Sequence, residues 1–222
     1  TTTVDKNSTF RSDNATFTDK AVLENNGETI LGALNGWNSA EVRNNSKLTV
    51  NGNTQFGGRF INNANAKLVG TADIDGTLQN SQGARLIANT VNVNGTLRNF
   101  GYMEALDNST VFGTLENPGE IRLFNTHIGS RGSGDIGTIG NTYTLKATGK
   151  TQVSGLLANA PGAIAEFSGN DSELVILSGG SVSNNGTLIA DSLVVNEGGY
   201  FINGDNAQKT FTASPLRLRA VT

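Results

Sequence analysis

Proton-transfer chemistry in this 222-residue chain would have to pass through very few side chains. There is one histidine, His127, and no cysteine, so thiol nucleophiles, disulfides and thiolate metal sites are excluded. His127, Arg131 and Asp135 form the only compact set of acid–base residue types, and nothing local fixes the mutual geometry that general acid–base catalysis requires. No Gly-x-Ser-x-Gly elbow, phosphate-cradling loop or His-based metal motif occurs. Asp73 and Asp75, two apart, would share the outward face of a strand and could touch a cation, but a calcium site needs about six or more oxygens, so a solvated face is the reading. The chain is therefore expected not to be an enzyme and to need no cofactor or metal.

What the sequence does carry is a repeat. GTLQN, GTLRN and GTLEN recur at Gly76–Asn80, Gly95–Asn99 and Gly113–Asn117, and the same loose step, Gly-x-apolar-x-Asn, continues in both directions. Ten copies end at Asn25, Asn44, Asn62, Asn80, Asn99, Asn117, Asn141, Asn159, Asn184 and Asn203, with Ala in place of Gly in the first two. The period is 18 to 19 residues, broken by intervals of 24 and 25. A fixed period near 20 is the signature of a solenoid, in which each repeat covers the hydrophobic face of the next.

The residues between the steps decide which solenoid. Ala66, Leu68, Ala72, Ile74 and Leu78 fall on alternate positions with Lys67, Thr71, Asp73, Asp75 and Gln79 between them, and Leu48, Val50, Thr54, Phe56 and Phe60 repeat the pattern one turn earlier. That is a strand period. In the turn ending at Asn99 alternation runs through Leu86 and Ala88, slips by one and resumes at Val91; the extra residue is expected in a corner, absorbed by a bend or bulge. The predicted fold is an all-β, single-chain parallel β-helix with three short strands per coil, each paired with its equivalent about 4.8 Å along the axis, making a rod of about 50–60 Å. The recurring Asn has a structural part in it: a short amide can donate to the coil on one side and accept from the other.

Composition agrees with this. Only 16% of residues are charged, 28 are Gly and 29 Asn against 3 Pro, a balance of turns joined by strands. The net charge of -3 without a Lys/Arg run argues against nucleic acid and against insertion into or binding to an anionic membrane, and no apolar run reaches the length of a membrane-spanning helix. Residues 1–20 lack the step and are expected to be an N-terminal cap or incomplete coil; residues 21–203 are the solenoid, and 204–222 a C-terminal half-coil or cap. The lone Trp37 is expected as a packed corner aromatic rather than a ligand platform.

Two polar segments occupy the lengthened intervals, Ser130–Asp135 (SRGSGD) and Ser168–Glu173 (SGNDSE), at nearly the same phase of the coil. They are expected to leave one corner with their bases about 10 Å apart along the axis. Insertions on one face of a solenoid often build its binding face, so Ser130, Arg131, Asp135, Asn170, Asp171 and Glu173 are the candidate partner contacts.

Stretches such as SNNGTLIADSLVVNEGGYFING (Ser183–Gly204) and QNSQGARLIANTVNVNGTLRNFG (Gln79–Gly101) resemble the repeats of filamentous-haemagglutinin-like proteins and autotransporter passengers of Gram-negative bacteria, a likeness covering about residues 21–204. It implies a right-handed β-helix and a secreted or outer-membrane-surface adhesin serving attachment, aggregation or biofilm formation and virulence. The implied partner is a host or bacterial cell-surface glycan or protein, or a second copy of the chain. Neither the Asn-Pro-Asn-Leu secretion motif nor a membrane barrel of those families is present. Two other classes stand beside the adhesin: a carbohydrate-active β-helix, lyase or hydrolase, which would need carboxylates or a basic residue clustered over a groove, and a structural stalk or S-layer-like solenoid, which would show a ruled Thr face or a Gly/Asp calcium repeat.

Overall fold

The computed structural model describes residues 1–131, 135–211 and 217–219. It divides into two compact units, Thr1–Asp107 and Asn108–Thr222, with the boundary inside the strand Tyr102–Val111. Both are parallel β-solenoids of the predicted kind, and no described residue is helical. Counted by the strands of the sheet that holds the steps, the first unit has six coils, five of them with the step, and the second five.

A coil of the first unit illustrates the build. The step strand Glu41–Asn44 turns into Lys47–Val50, which bends into Thr54–Phe56, and a second turn delivers the next step, Arg59–Asn62. Each element stacks on its equivalent without slippage: Val42 on Phe60, Leu48 on Ala66, Phe56 on Ile74. In other coils the second and third strands run together as one bent strand of nine or ten residues, such as Asn65–Ile74 and Arg85–Val93, so the three-strand coil holds only where the bend breaks the pairing. The alternating apolar residues fill the lumen. Leu23, Leu31, Val42, Leu48, Phe60, Leu78 and Leu97 are at most 1% exposed in the first unit, and Ile121, Leu145, Leu157, Phe167, Val182 and Leu188 likewise in the second. At about 1.5–3 kcal/mol for each fully buried large side chain, this interior is the dominant favourable term. Its shape is specific: the Phe56 ring meets Phe60 edge-on at 5.9 Å and occupies the space where a Cβ on Gly36, its register partner, would stand 2.1 Å away.

The step asparagines are buried and stacked. In the first unit each Nδ2 donates to the Oδ1 of the Asn in the following coil, Asn25 to Asn44, Asn44 to Asn62, Asn62 to Asn80 and Asn80 to Asn99, at 2.7–2.8 Å. In the second, Asn117, Asn141, Asn159 and Asn184 donate in turn up to Asn203 at 2.8–2.9 Å. The other Nδ2 hydrogen reaches a backbone carbonyl of the following coil, as from Asn62 to Arg85 at 3.0 Å. Residues 1–20 wind a coil although they lack the step: Thr2–Val4 and Thr9–Phe17 pair in register with the next coil, and Val4 takes the ladder position. Asn25 thus has no amide beneath it. Its Oδ1 accepts instead from the buried Thr29 hydroxyl at 2.9 Å and from Gly27 N at 3.3 Å.

The coil lengths follow from two kinds of corner and two kinds of bend. A corner takes either two residues, as Asn63 and Ala64 between Asn62 and Asn65, or four, as residues 81–84 between Asn80 and Arg85. The four-residue corners at residues 5–8, 18–21, 37–40, 81–84, 160–163, 177–180 and 196–199 close with an N–H of the fourth residue on the carbonyl of the first. Five of them carry a positive φ on the third residue, Asn7, Gly83, Gly162, Gly179 and Gly198, at 68° to 79°, and two on the second, Asp19 and Asn38, at 52° and 57°, conformations that Gly, Asn and Asp tolerate best. The bend between second and third strands takes three residues or two, and the register shift between Ala88 and Thr90 marks a short one. The 19-residue coils therefore do not hold one extra corner residue: they gain two in a corner and lose one at the bend, and because the corner gain is even the inward set stays inward. Trp37 opens one such corner and is 38% exposed. In the short corners the step glycines stack so closely that a Cβ on Gly76 would lie 2.1 Å from Gly58 O.

Residues 204–211 continue the pattern, Gln208–Phe211 pairing with Thr187–Ala190, and the Arg217–Arg219 backbone pairs with Val194–Asn196; residues 212–216 and 220–222 of the expected C-terminal half-coil lie outside the described residues.

Three substitution experiments test this account. Asn80→Leu removes the acceptor of Asn62 and the donor to Asn99, and is expected to lower stability by about 1–3 kcal/mol for each buried group left unpaired; an unchanged melting temperature would contradict a buried ladder. Thr29→Val is expected to cost about 1 kcal/mol in denaturant unfolding. Thr151→Val, at a buried hydroxyl without a partner, should be neutral or stabilising.

Candidate functional site

The two polar segments emerge from different corners. Ser130–Arg131 pairs antiparallel with Asp135–Ile136, and Gly137 N donates to Gly129 O at 2.6 Å, so the first is a hairpin raised at the corner that precedes the step strand Thr138–Asn141. Residues 132–134, and the side chains of Ser130, Arg131 and Asp135, lie outside the described residues. The second segment sits at the bend between Ile164–Phe167 and Glu173–Ile176. The expectation of a common corner fails because the longest interval is not one insertion. Its additional residues are shared among the corner at 160–163, the bend at 168–172 and the corner at 177–180, and the first of these displaces the bend along the sequence.

The bend loop is built by local hydrogen bonds. Gly169, with φ of 102°, donates its N–H to Asp191 Oδ2 at 2.9 Å and accepts from Ser172 N at 2.8 Å. Ser168 Oγ donates to Glu166 Oε1 at 2.5 Å. These contacts turn Asn170 and Asp171 outward, Asp171 with φ of 53°, and both are exposed. Glu173 does not belong with them. It is half-buried and opens a strand, in register with Lys150 of the preceding coil.

His127 lies on the third strand of its coil, and its partner is one that linear spacing conceals. Its Nε2 is 3.1 Å from Ser154 Oγ, 27 residues on, and its ring meets Phe112 edge-on at 6.1 Å. Ser154 Oγ also lies 3.3 Å from the Ile128 carbonyl. Satisfying both contacts gives the hydroxyl hydrogen to Ile128 and makes Nε2–H the donor to Ser154, the reverse of what a general base needs to activate a nucleophile. Asp73 and Asp75 are likewise accounted for as rungs: each accepts from the Asn one coil on, Asn92 and Asn94, at 2.8 Å. Among the described residues no three His, Asp or Glu side chains gather into a metal-binding group.

The Ser154 geometry predicts that the chain and its Ser154→Ala variant will turn over an activated ester such as p-nitrophenyl acetate at equal rates. A drop of tenfold or more in the variant would assign Ser154 a nucleophilic part after all.

Among the described residues of the second unit, then, the largest departures from the repeat are a hairpin at a corner and a loop at a bend. The chain was compared with protein-family models, with curated proteins and with solved structures, and it matches none of them.

Proposed function

We propose that this chain is a non-enzymatic attachment module, a segment of a secreted or surface-displayed bacterial adhesin that contacts a cell-surface glycan or protein through its corner loops. The observation that carries the reading is the division of labour within the coils: the inward residues and the step asparagines are consumed by stacking, and of the residues in excess of the repeat those not needed to close tight corners are spent on the 129–137 hairpin and the 168–172 loop. The repeat alone has no use for them. Exposed Asn170 and Asp171 offer polar groups suited to weak contact with sugar hydroxyls or a protein rim, and many copies on one cell would turn weak contacts into firm attachment. Self-association of the chain and the extracellular, outer-membrane-surface location belong to the same proposal, as does virulence through biofilm formation.

The test is to shorten the 129–137 hairpin to a two-residue corner like Ser154–Gly155, and the 168–172 loop to two residues, which with Glu173 make a three-residue bend like 51–53. The far-UV spectrum should keep its β character and the melting temperature should stay within a few degrees, because surface loops contribute little to the core. Attachment or aggregation of cells displaying the trimmed chain should fall at least severalfold. Attachment that survives unchanged would remove the loops from the function.

A further inference from the structure

Stacking gathers charge on the outward face of the strands that follow the step strands in Thr1–Asp107. Lys47 stands in register with Asn65 and Asn65 with Arg85, while Thr49 faces Lys67 and Lys67 faces Ile87. Three consecutive coils thus contribute one cation each, Lys67 set two residues along its strand from the column of Lys47 and Arg85. The three line a shallow groove of about 390 Å³ whose outward side chains also include Thr49, Ile87 and Leu106, the last 52% exposed.

The cations are not equivalent. Lys47 donates to Glu28 Oε1 at 2.6 Å, and that bond holds the Glu28 carboxyl below its usual range, so Lys47 is partly neutralised from one side. Arg85 lies over the Tyr102 ring, its guanidinium carbon 4.7 Å from the ring centre, and the Tyr102 hydroxyl donates to Glu104 Oε2 at 2.9 Å. Stacking of this kind holds the guanidinium plane against the ring and leaves its in-plane N–H edges for a planar anion. Lys67 has no carboxylate partner among the described residues.

The spacing selects the ligand. Coils rise by about 4.8 Å, comparable with the length of one sugar in an extended polysaccharide. A polymer with a carboxylate on each sugar, lying across the strands, would meet a cation at successive coils and lay its C–H faces on Ile87 and Leu106. A nucleic acid strand would ask for aromatic platforms under its bases, and Tyr102 already has Arg85 on its face. We propose that this groove binds an acidic polysaccharide of the polyuronate class, with Lys67 and Arg85 as its carboxylate contacts. The site extends the attachment reading and is separable from it, since both corner loops belong to Asn108–Thr222 and this groove to Thr1–Asp107.

The experiment is a titration of the whole chain with oligogalacturonate fragments by calorimetry, alongside Lys67→Gln, the Lys67→Gln/Arg85→Gln double variant and the loop-trimmed chain. Binding should weaken at least tenfold in the double variant and to an intermediate degree in Lys67→Gln, at unchanged melting temperature, and should weaken as salt is raised. Polyglutamate of matched length should bind at least tenfold more weakly than oligogalacturonate, and the loop-trimmed chain should bind oligogalacturonate like the parent. Failure of the parent chain to bind, equal binding by the double variant, or equal binding of polyglutamate would each overturn the proposal. Loop-trimmed cells that lose attachment while the trimmed chain keeps its affinity for oligogalacturonate would leave the corner-loop reading standing alongside it.

Discussion

The fold depends on in-register stacking: every coil must place the same backbone position over its predecessor, or the lumen and the amide ladder fail together. The ladder is where this constraint is least forgiving. A buried amide offers two hydrogens and a carbonyl oxygen, and in Asn44, Asn62 and Asn80 these are directed at the neighbouring coils. Hydrogen bonding to a buried group adds only a modest net stabilisation, but leaving one unmade carries the full desolvation penalty. The ladder therefore acts more as a register lock than as a source of stability, the bulk of which comes from the apolar lumen. Its first rung shows the same logic, since the one Asn resting on a Val has a hydroxyl, Thr29, brought to its oxygen.

Register imposes arithmetic on everything outside the lumen. Alternation tolerates an even change in the length of a tight corner and is inverted by an odd one, so the four-residue corners add their residues as a pair, through turns with a positive φ at the second or third residue. Odd adjustments fall at the bend, where Gly32, Gly52 and Gly70 lie, or in the 129–137 hairpin, which leaves the alternation and resumes it at Thr138; a Cβ on Gly70 would stand 2.4 Å from Gly52 O. Large excursions are possible only where the chain has already left the sheets, which is why the hairpin and the loop sit at a corner and a bend rather than within a strand. A surface suited to recognition is a by-product of the rule that keeps the core closed.

The same stacking turns residues one coil apart, 18 to 27 positions along the chain, into neighbours. Lys47, Lys67 and Arg85 come together in this way, and so do Glu28 and Lys47, Asp73 and Asn92, and His127 and Ser154. A solenoid surface is thus read down its columns, and a chain without a run of basic residues can still present a basic groove.

Ten spaced asparagines and the alternation of Leu48, Val50, Phe56 and Phe60 were enough to determine the all-β coil, its parallel pairing, the ladder and the places where the period lengthens, because each depends on residue type at a fixed interval along the chain. The tertiary structure decided what interval alone leaves open: which corner each lengthened coil uses, where the two-for-one exchange of the 19-residue coils occurs, that Glu173 opens a strand, and which side chains meet across coils. The physical reason is that periodicity reports the face a residue occupies but is blind to how an excess is divided among corners, since two residues in a turn and two in a loop lengthen the interval alike. Contacts between coils are set only once that division is made.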